Sequence, residues 1–260
     1  MDRQQVRPLG EQIRHWRQQR RLSQMDLALE AEISTRHLSF IETGRAQPSR
    51  EMVLLLAEHL EVPLRERNAM LLGAGFAPVY SERPLDDPQL APARRAVELV
   101  LKGHEPFPAL AIDRHWHMVA ANAAVAPLLE GVAPFLLEGP VNVLRLSLHP
   151  QGLAPRIRNL GEWRAHLLER LRRQAWLTSD AALSALLEEL CAYPSAEGTG
   201  DLDGFGEVAV PLRLDTPLGE LRFFSTTTVF GTPRDVTLDE LAIEAFFPAD
   251  EETLERLAGR

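Results

Sequence analysis

Between Ser23 and Arg45 the apolar positions are Leu27, Ala31, Ile33, Leu38 and Ile41. A spacing of four joins Leu27 to Ala31 and a spacing of three joins Leu38 to Ile41, so each pair shares one helical face. The pattern predicts two short helices joined by a tight turn, with Ala28 small where two crossing helices would approach. Ser23 and Ser34 stand where N-caps are expected, their hydroxyls available to the orphan N–H groups of a first turn. Leu9, Ile13 and Trp16 mark the buried face of a preceding helix over 9–21. A fourth helix starts at Pro48-Ser49, with Met52, Val53, Leu55, Leu56 and Leu60 apolar, and a fifth runs from Leu64 until Gly73, Gly75 and Pro78 stop it. The segment Tyr80–Pro88 is Pro-rich, charged and aperiodic, and reads as linker. The expected division is a five-helix domain at 1–78, a linker at 79–90 and a second domain at 91–260.

In the second domain the periodicity changes. Helical spacing over 91–102 gives way to two short apolar runs within 108–122, joined at Asp113-Arg114-His115, which predict a β-hairpin with Asn122 capping the next helix. Helical segments follow at about 155–175 and 180–192. Three strands are expected at 208–214, 218–230 and 236–247, separated by turns at 215–219 and 231–235, and a last short helix at 250–258. The fold class is α+β.

Charge sharpens this division. The chain of 260 residues carries −9 overall, but residues 1–50 hold nine Arg against six Asp or Glu, net +3, leaving −12 for the rest. A basic head on an acidic body suits a nucleic-acid-binding module joined to a domain that avoids nucleic acid, unless the charge is spread unevenly by chance. Hydrophobic content of 45% and charged content of 25% are those of a soluble globular protein. No apolar run approaches the ~20 residues of a membrane span, no secretory signal opens the chain, and Cys191 is the single cysteine. A cytoplasmic location without membrane partners is therefore expected. Lys102 is the only lysine beside 27 Arg, a bias of GC-rich coding rather than of arginine chemistry.

The combination Leu22-Ser23-Gln24, Leu27-Ala28, Ile33-Ser34, Ile41-Glu42, Gly44 and Pro48-Ser49 resembles the XRE-type helix-turn-helix of Cro and the phage repressors, over roughly the first quarter of the chain. The resemblance implies that the helix after Ser34 enters the major groove of double-stranded DNA. Thr35, Arg36, Ser39 and Phe40 would then face base edges, Arg36 chelating guanine and Phe40 or the Thr35 methyl meeting a thymine methyl. Phe40 departs from the polar residues usual there and alternatively packs on the neighbouring helix. Gln24, Ser34, His37 and Arg45 would contact phosphate. In such domains an Arg at the position of Arg17 pairs with a Glu at that of Glu42; the alternative is a solvated arginine. The turn position most often held by Gly is Glu32 here, so a left-handed conformation would cost of order 1–2 kcal/mol.

Two strands, then helices, then three strands is the order of a PAS-like five-stranded antiparallel sheet with inserted helices. With Asp113, Trp116 and Asn122, and following this DNA-binding sequence, it resembles the MmyB-like transcription regulator ligand-binding domain. That resemblance implies a bacterial one-component regulator whose second domain holds a small, mainly apolar ligand such as a fatty acid. Expected lining residues are Phe107, Trp116, Met118, Trp163, Leu167, Trp176, Phe223 and Phe230, with Arg164 or His166 meeting a carboxylate head; each aromatic is otherwise simply core.

His115 and His117 lie two apart, a spacing found in metal sites, but no carboxylate or third His follows at a recognisable interval, and they read as surface or turn histidines. No metal is expected and no cofactor is required. No Gly-x-Ser-x-Gly elbow, phosphate-binding Gly loop or His-Glu-x-x-His occurs, so no catalytic residue is assigned and no enzyme is expected. The leading expectation is a homodimeric, sequence-specific transcriptional regulator, a repressor, tuned by a fatty-acid-like ligand. The alternative is a DNA-binding regulator whose second domain only dimerises or binds a protein partner.

Overall fold

The computed structural model describes residues 7–194 and 210–259. The chain forms two compact units, one taking residues up to Pro84 together with Thr232–Asp239, the other Leu85–Gly231 with Glu240–Arg260.

The first unit is built on α1 (Leu9–Gln19), α2 (Gln24–Glu30), α3 (Thr35–Glu42), α4 (Arg50–His59) and α5 (Leu64–Gly73). Their apolar stripes converge on one core, in which Ile13, Leu27, Leu38, Leu56, Met70 and Leu71 are fully buried. Each such burial contributes roughly 1.5–3 kcal/mol. Three of these helices end on a non-glycine residue in the left-handed region: Arg21 (φ 57°), Glu32 (φ 53°) and Glu61 (φ 47°). The following N–H groups of Leu22, Ile33 and Val62 reach back to Arg17, Ala28 and Ala57 at 2.9–3.0 Å, satisfying carbonyls that the helix ends would orphan. The turn at Glu32 thus has the conformation expected of it, and the side chain carries the associated strain.

Residues 232–239 depart from the sequence expectation. The apolar run from Val236 reads as one strand to Phe247, yet Val236–Asp239 forms a single helical turn and strand pairing begins only at Ala242. The cause is local: Asp235 Oδ1 accepts from the Thr237 N–H at 3.0 Å and starts a turn before the strand can extend. Within the helical unit this segment buries Val236 completely and pairs Asp235 Oδ2 with Arg83 Nη1 at 2.7 Å. Asp239 Oδ2 accepts from the Leu64 N–H at 3.0 Å, capping α5, which follows Pro63 and has no side-chain cap there.

The second unit contains α6 (Ala91–Gly103), β1 (Ala109–Ile112), β2 (Met118–Ala121), α7 (Val143–Leu148), α8 (Leu160–Thr178), α9 (Ala181–Ala192), β3 (Leu212–Thr216), β4 (Gly219–Val229), β5 (Ala242–Pro248) and α10 (Glu251–Ala258). The strands make one antiparallel sheet in the order β2-β1-β5-β4-β3, the five-stranded sheet that the resemblance implies. The part of the expected strand at 208–209 lies outside the described residues. Period-two alternation divides the sheet's side chains. Ala109, Ala111, Ile243 and Ala245 pack with Val97 and Leu101 of α6, whereas Leu110, Leu212, Leu214 and Phe223 enter the larger core with α7, α8 and α9. Asn122 caps no helix. Its Oδ1 accepts from the Ala109 N–H at 3.1 Å, and its Nδ2 donates to the Phe107 and Leu101 carbonyls at 2.7 and 3.1 Å, tying the start of β1 to the end of α6.

Candidate DNA-reading helix and ligand cavity

Both helices of the turn motif start on the caps the sequence offers. Ser23 Oγ accepts from the Asp26 N–H while Asp26 Oδ2 accepts from the Ser23 N–H, at 3.1 and 2.8 Å, a reciprocal capping box. Ser34 Oγ accepts from the His37 N–H at 3.1 Å, so this hydroxyl is engaged in starting α3. Leu38, Ile41 and Glu42 face inward, leaving Thr35, Arg36 and Arg45 exposed and His37, Ser39 and Phe40 half-buried. Arg36 and Phe40 are not independent: the guanidinium carbon sits 5.3 Å from the Phe40 ring centre, so the ring supports the cation in a cation–π contact.

Behind α3 lies the ion pair that fixes its angle. Arg17 Nε and Nη2 donate to Glu42 Oε1 and Oε2 at 2.7 and 3.1 Å, a two-pronged contact, and the Glu42 side chain is wholly buried. Gln24 Nε2 donates to Glu42 Oε2 at 2.8 Å, so the amide expected to meet phosphate is directed inward at this carboxylate. Burial alone would raise the Glu42 pKa; the hydrogen bonds from Arg17 and Gln24 outweigh it and hold the carboxyl below its ordinary value. A charge pair of this kind sets geometry more than it adds net stability.

In the second unit a cavity of about 100 Å³ opens between the inner face of the sheet and α7 and α8. Of the candidate residues, Trp116, Met118, Trp163, Leu167 and Phe223 stand on its wall, together with aliphatic residues such as Leu110, Val143, Leu146 and Leu214. Five expected residues lie elsewhere. Phe107 meets the His104 ring edge-on. Phe230 packs in the cluster on the α6 side of the sheet. Trp176 is 59% exposed. Arg164 Nη2 donates to the carbonyls of Leu190, Cys191 and Tyr193, closing the end of α9. His166 stacks obliquely on Trp163, and burial first, then the neighbouring Arg170, push its pKa below the ordinary imidazole value.

The cavity's charged groups are instead Arg170 and Glu244. Arg170 Nη2 donates to Glu244 Oε1 at 2.6 Å, Thr227 Oγ1 donates to the same oxygen at 3.0 Å, and Arg170 lies 4.9 Å from the Trp116 ring centre. A sequence signal for both existed. Arg170 is seven residues after Trp163 and three after Leu167, on the same helical face. Glu244 alternates with Ala242 and Phe246 on the inward side of β5. A charged residue at an inward position of an apolar strand is informative in a way that another aromatic is not.

Helix-turn-helix geometry with a capped, cation-bearing α3 in one unit, and a sheet with an apolar cavity in the other, define a DNA-binding transcription regulator with a small-molecule-binding domain. Residues 8–70 match a helix-turn-helix domain family, and residues 93–258 match the MmyB-like transcription regulator ligand binding domain. The second match spans more than half of the chain, which belongs to that family. The second of these is a ligand-binding domain by its description. No curated protein matches the chain. No described helix is long and apolar enough to cross a membrane.

Proposed function

We propose that this chain is a repressor that binds a near-palindromic DNA site as a homodimer and is tuned by a fatty-acid-like ligand in the α7–α8 cavity. Two recognition helices one DNA turn, ~34 Å, apart would read the half-sites. The ligand would shift the population between dimers that fit that spacing and dimers that miss it. DNA reading is supported above all by Arg36, exposed, braced on Phe40, and carried by a helix whose angle Glu42 fixes.

Ligand class is supported by the cavity wall, apolar except for the Arg170–Glu244 pair and the Ser147 and Ser225 side chains. A dry apolar cavity of roughly 150 Å³ holds a benzene molecule, so a space of about 100 Å³ admits the first few carbons of an acyl chain, and a chain of eight or more carbons requires the cavity to widen or the chain to extend out of it. A guanidinium has five donors, enough for Arg170 to serve Glu244 and a ligand carboxylate together.

Selection from a pool of random duplexes at fixed salt tests the first part. The native chain is expected to enrich one near-palindromic motif, and Arg36→Ala to lose ~10–100-fold in affinity for it, the scale of a bidentate base contact. Equal enrichment by both proteins would remove α3 from the reading role. For the ligand, native mass spectrometry is expected to show an added mass with octanoate or decanoate, accompanied by a higher melting temperature. A clean unliganded mass with no thermal response to fatty acids of 8–14 carbons would leave the second domain as a dimerisation or protein-binding module.

A further inference from the structure

The turn between β1 and β2 contains a feature that neither DNA reading nor the cavity uses. Asp113, His115 and His117 each bring one ligand-type atom to within 4.8 Å of the others. A third ligand sought after His117 in the sequence is supplied by the turn from before it. The turn is closed by backbone bonds in both directions between Asp113 and the residues ahead: Trp116 N–H to Asp113 O at 3.1 Å, and Asp113 N–H to His117 O at 3.0 Å. Asp113 Oδ1 accepts from the His115 and His117 N–H groups at 2.8 and 2.9 Å, while Oδ2 lies 3.1 Å from His117 Nδ1. One carboxylate oxygen therefore builds the turn and the other is directed at the imidazole.

We propose that Asp113, His115 and His117 bind a divalent transition-metal ion of the zinc, cobalt and nickel group. Two imidazoles and one carboxylate are the donor set these ions take, and the histidines make a calcium or magnesium site the poorer fit. Bonds of 2.0–2.2 Å require the three donor atoms to stand roughly 3.5 Å apart, so closure from the present spacing needs a movement of about an ångström. The surroundings favour a cation. Asp180 Oδ2 lies 3.0 Å from His115 Nε2, and an Nε2–H donated to it leaves the Nδ1 lone pair for the ion, the carboxylate–histidine–metal arrangement. Asp180 is itself fixed by capping α9 through Ala182 N–H at 2.8 Å.

Arg114 is the one opposing charge described in this cluster. Its Nε stands 3.1 Å from His115 Nε2, a contact given up when that nitrogen carries the proton donated to Asp180, and its Nη groups pair with Asp180 and, at 3.3 Å, with Glu240. Counting Asp113 and Asp180 against Arg114 leaves one negative charge beside the ion. All three ligand side chains are about one-third exposed, which keeps the remaining coordination positions open to water. His115 and His117 flank Trp116, a cavity-lining residue held at φ 66°, a conformation costly for a non-glycine residue. Its indole N–H donates to Gln174 Oε1 at 2.7 Å, which with burial keeps the turn in this shape before any ion arrives.

Cobalt(II) titration of the full chain, stripped with a chelator, tests the site through the visible d–d absorption of bound Co²⁺. The native chain is expected to give one saturable site whose absorption zinc displaces. His115→Ala/His117→Ala is expected to lose at least 100-fold in Co²⁺ affinity, with the six other histidines as background. Asp113→Asn keeps the Oδ1 acceptor that builds the turn and is expected to lose at least tenfold, so it reports on the ion even if the double variant folds poorly. No saturable absorption in the native chain, or equal absorption in Asp113→Asn, would overturn the proposal.

Discussion

Gly10→Ala is expected to destabilise the helical domain by about 2–3 kcal/mol and to weaken DNA binding with it. A Cβ built on Gly10 lies 2.3 Å from the Glu42 carbonyl oxygen, 2.7 Å from its carbon and 2.8 Å from the Ile41 carbonyl oxygen. All three are backbone atoms of α3, so no side chain can rotate away and α1 and α3 must separate. Overpacking of this kind costs ~1–3 kcal/mol, and the upper part of that range applies because the obstacle is main chain. Separation also pulls on the Arg17–Glu42 contact, since Arg17 is on α1 and Glu42 ends α3. The measurement is a denaturant midpoint at constant m-value, paired with affinity for the selected duplex. Gly103→Ala, whose added methyl meets nothing within 4 Å, is the control. An unchanged midpoint in Gly10→Ala would show that the two helices are not in van der Waals contact there.

That joint illustrates what the sequence made legible. In the helical domain the determinants are local: Ser23 and Ser34 as caps, spacings of three and four, and a left-handed residue at each helix end. Helix α3, its exposed Arg36 and the conformation of Glu32 all followed from them. The destination of Gln24 did not, because its inward turn depends on a carboxylate eighteen residues away. In the sheet domain more determinants are non-local. The two-residue periodicity located β3 and β4, but β5 is shortened by Asp235 capping a turn ahead of it, a competition between side chain and strand that hydrophobic pattern alone does not register. Arg164 and Arg170 are six residues apart on α8, yet one closes the end of α9 and the other enters the cavity. Helical phase separated them in principle, since Arg170 shares the stripe of Trp163 and Leu167. A charged residue on that stripe, more than an additional aromatic, marks the cavity's polar end.

Arg170→Leu should cost about 3 kcal/mol, and Arg170→Leu/Glu244→Leu should recover most of it. Glu244 keeps only 5% of its side chain exposed, so removing the guanidinium leaves a carboxylate in an apolar cavity with Thr227 Oγ1 as its remaining described donor. Breaking a buried pair on one side costs ~3–5 kcal/mol, whereas replacing both partners by apolar groups is often neutral or better. The 30% exposure of Arg170 places the expected loss at the low end of that range, because solvent already screens part of the pair. Denaturant unfolding of the native chain, both single variants and the double variant gives the coupling directly. The same four proteins also separate stability from recognition. If Arg170 holds a ligand carboxylate, the double variant keeps its fold, loses the thermal response to octanoate and gains one to octanol. A response to octanoate that persists in the double variant would place the carboxylate away from Arg170. A single variant no less stable than the double would mean that the pair contributes nothing beyond its volume.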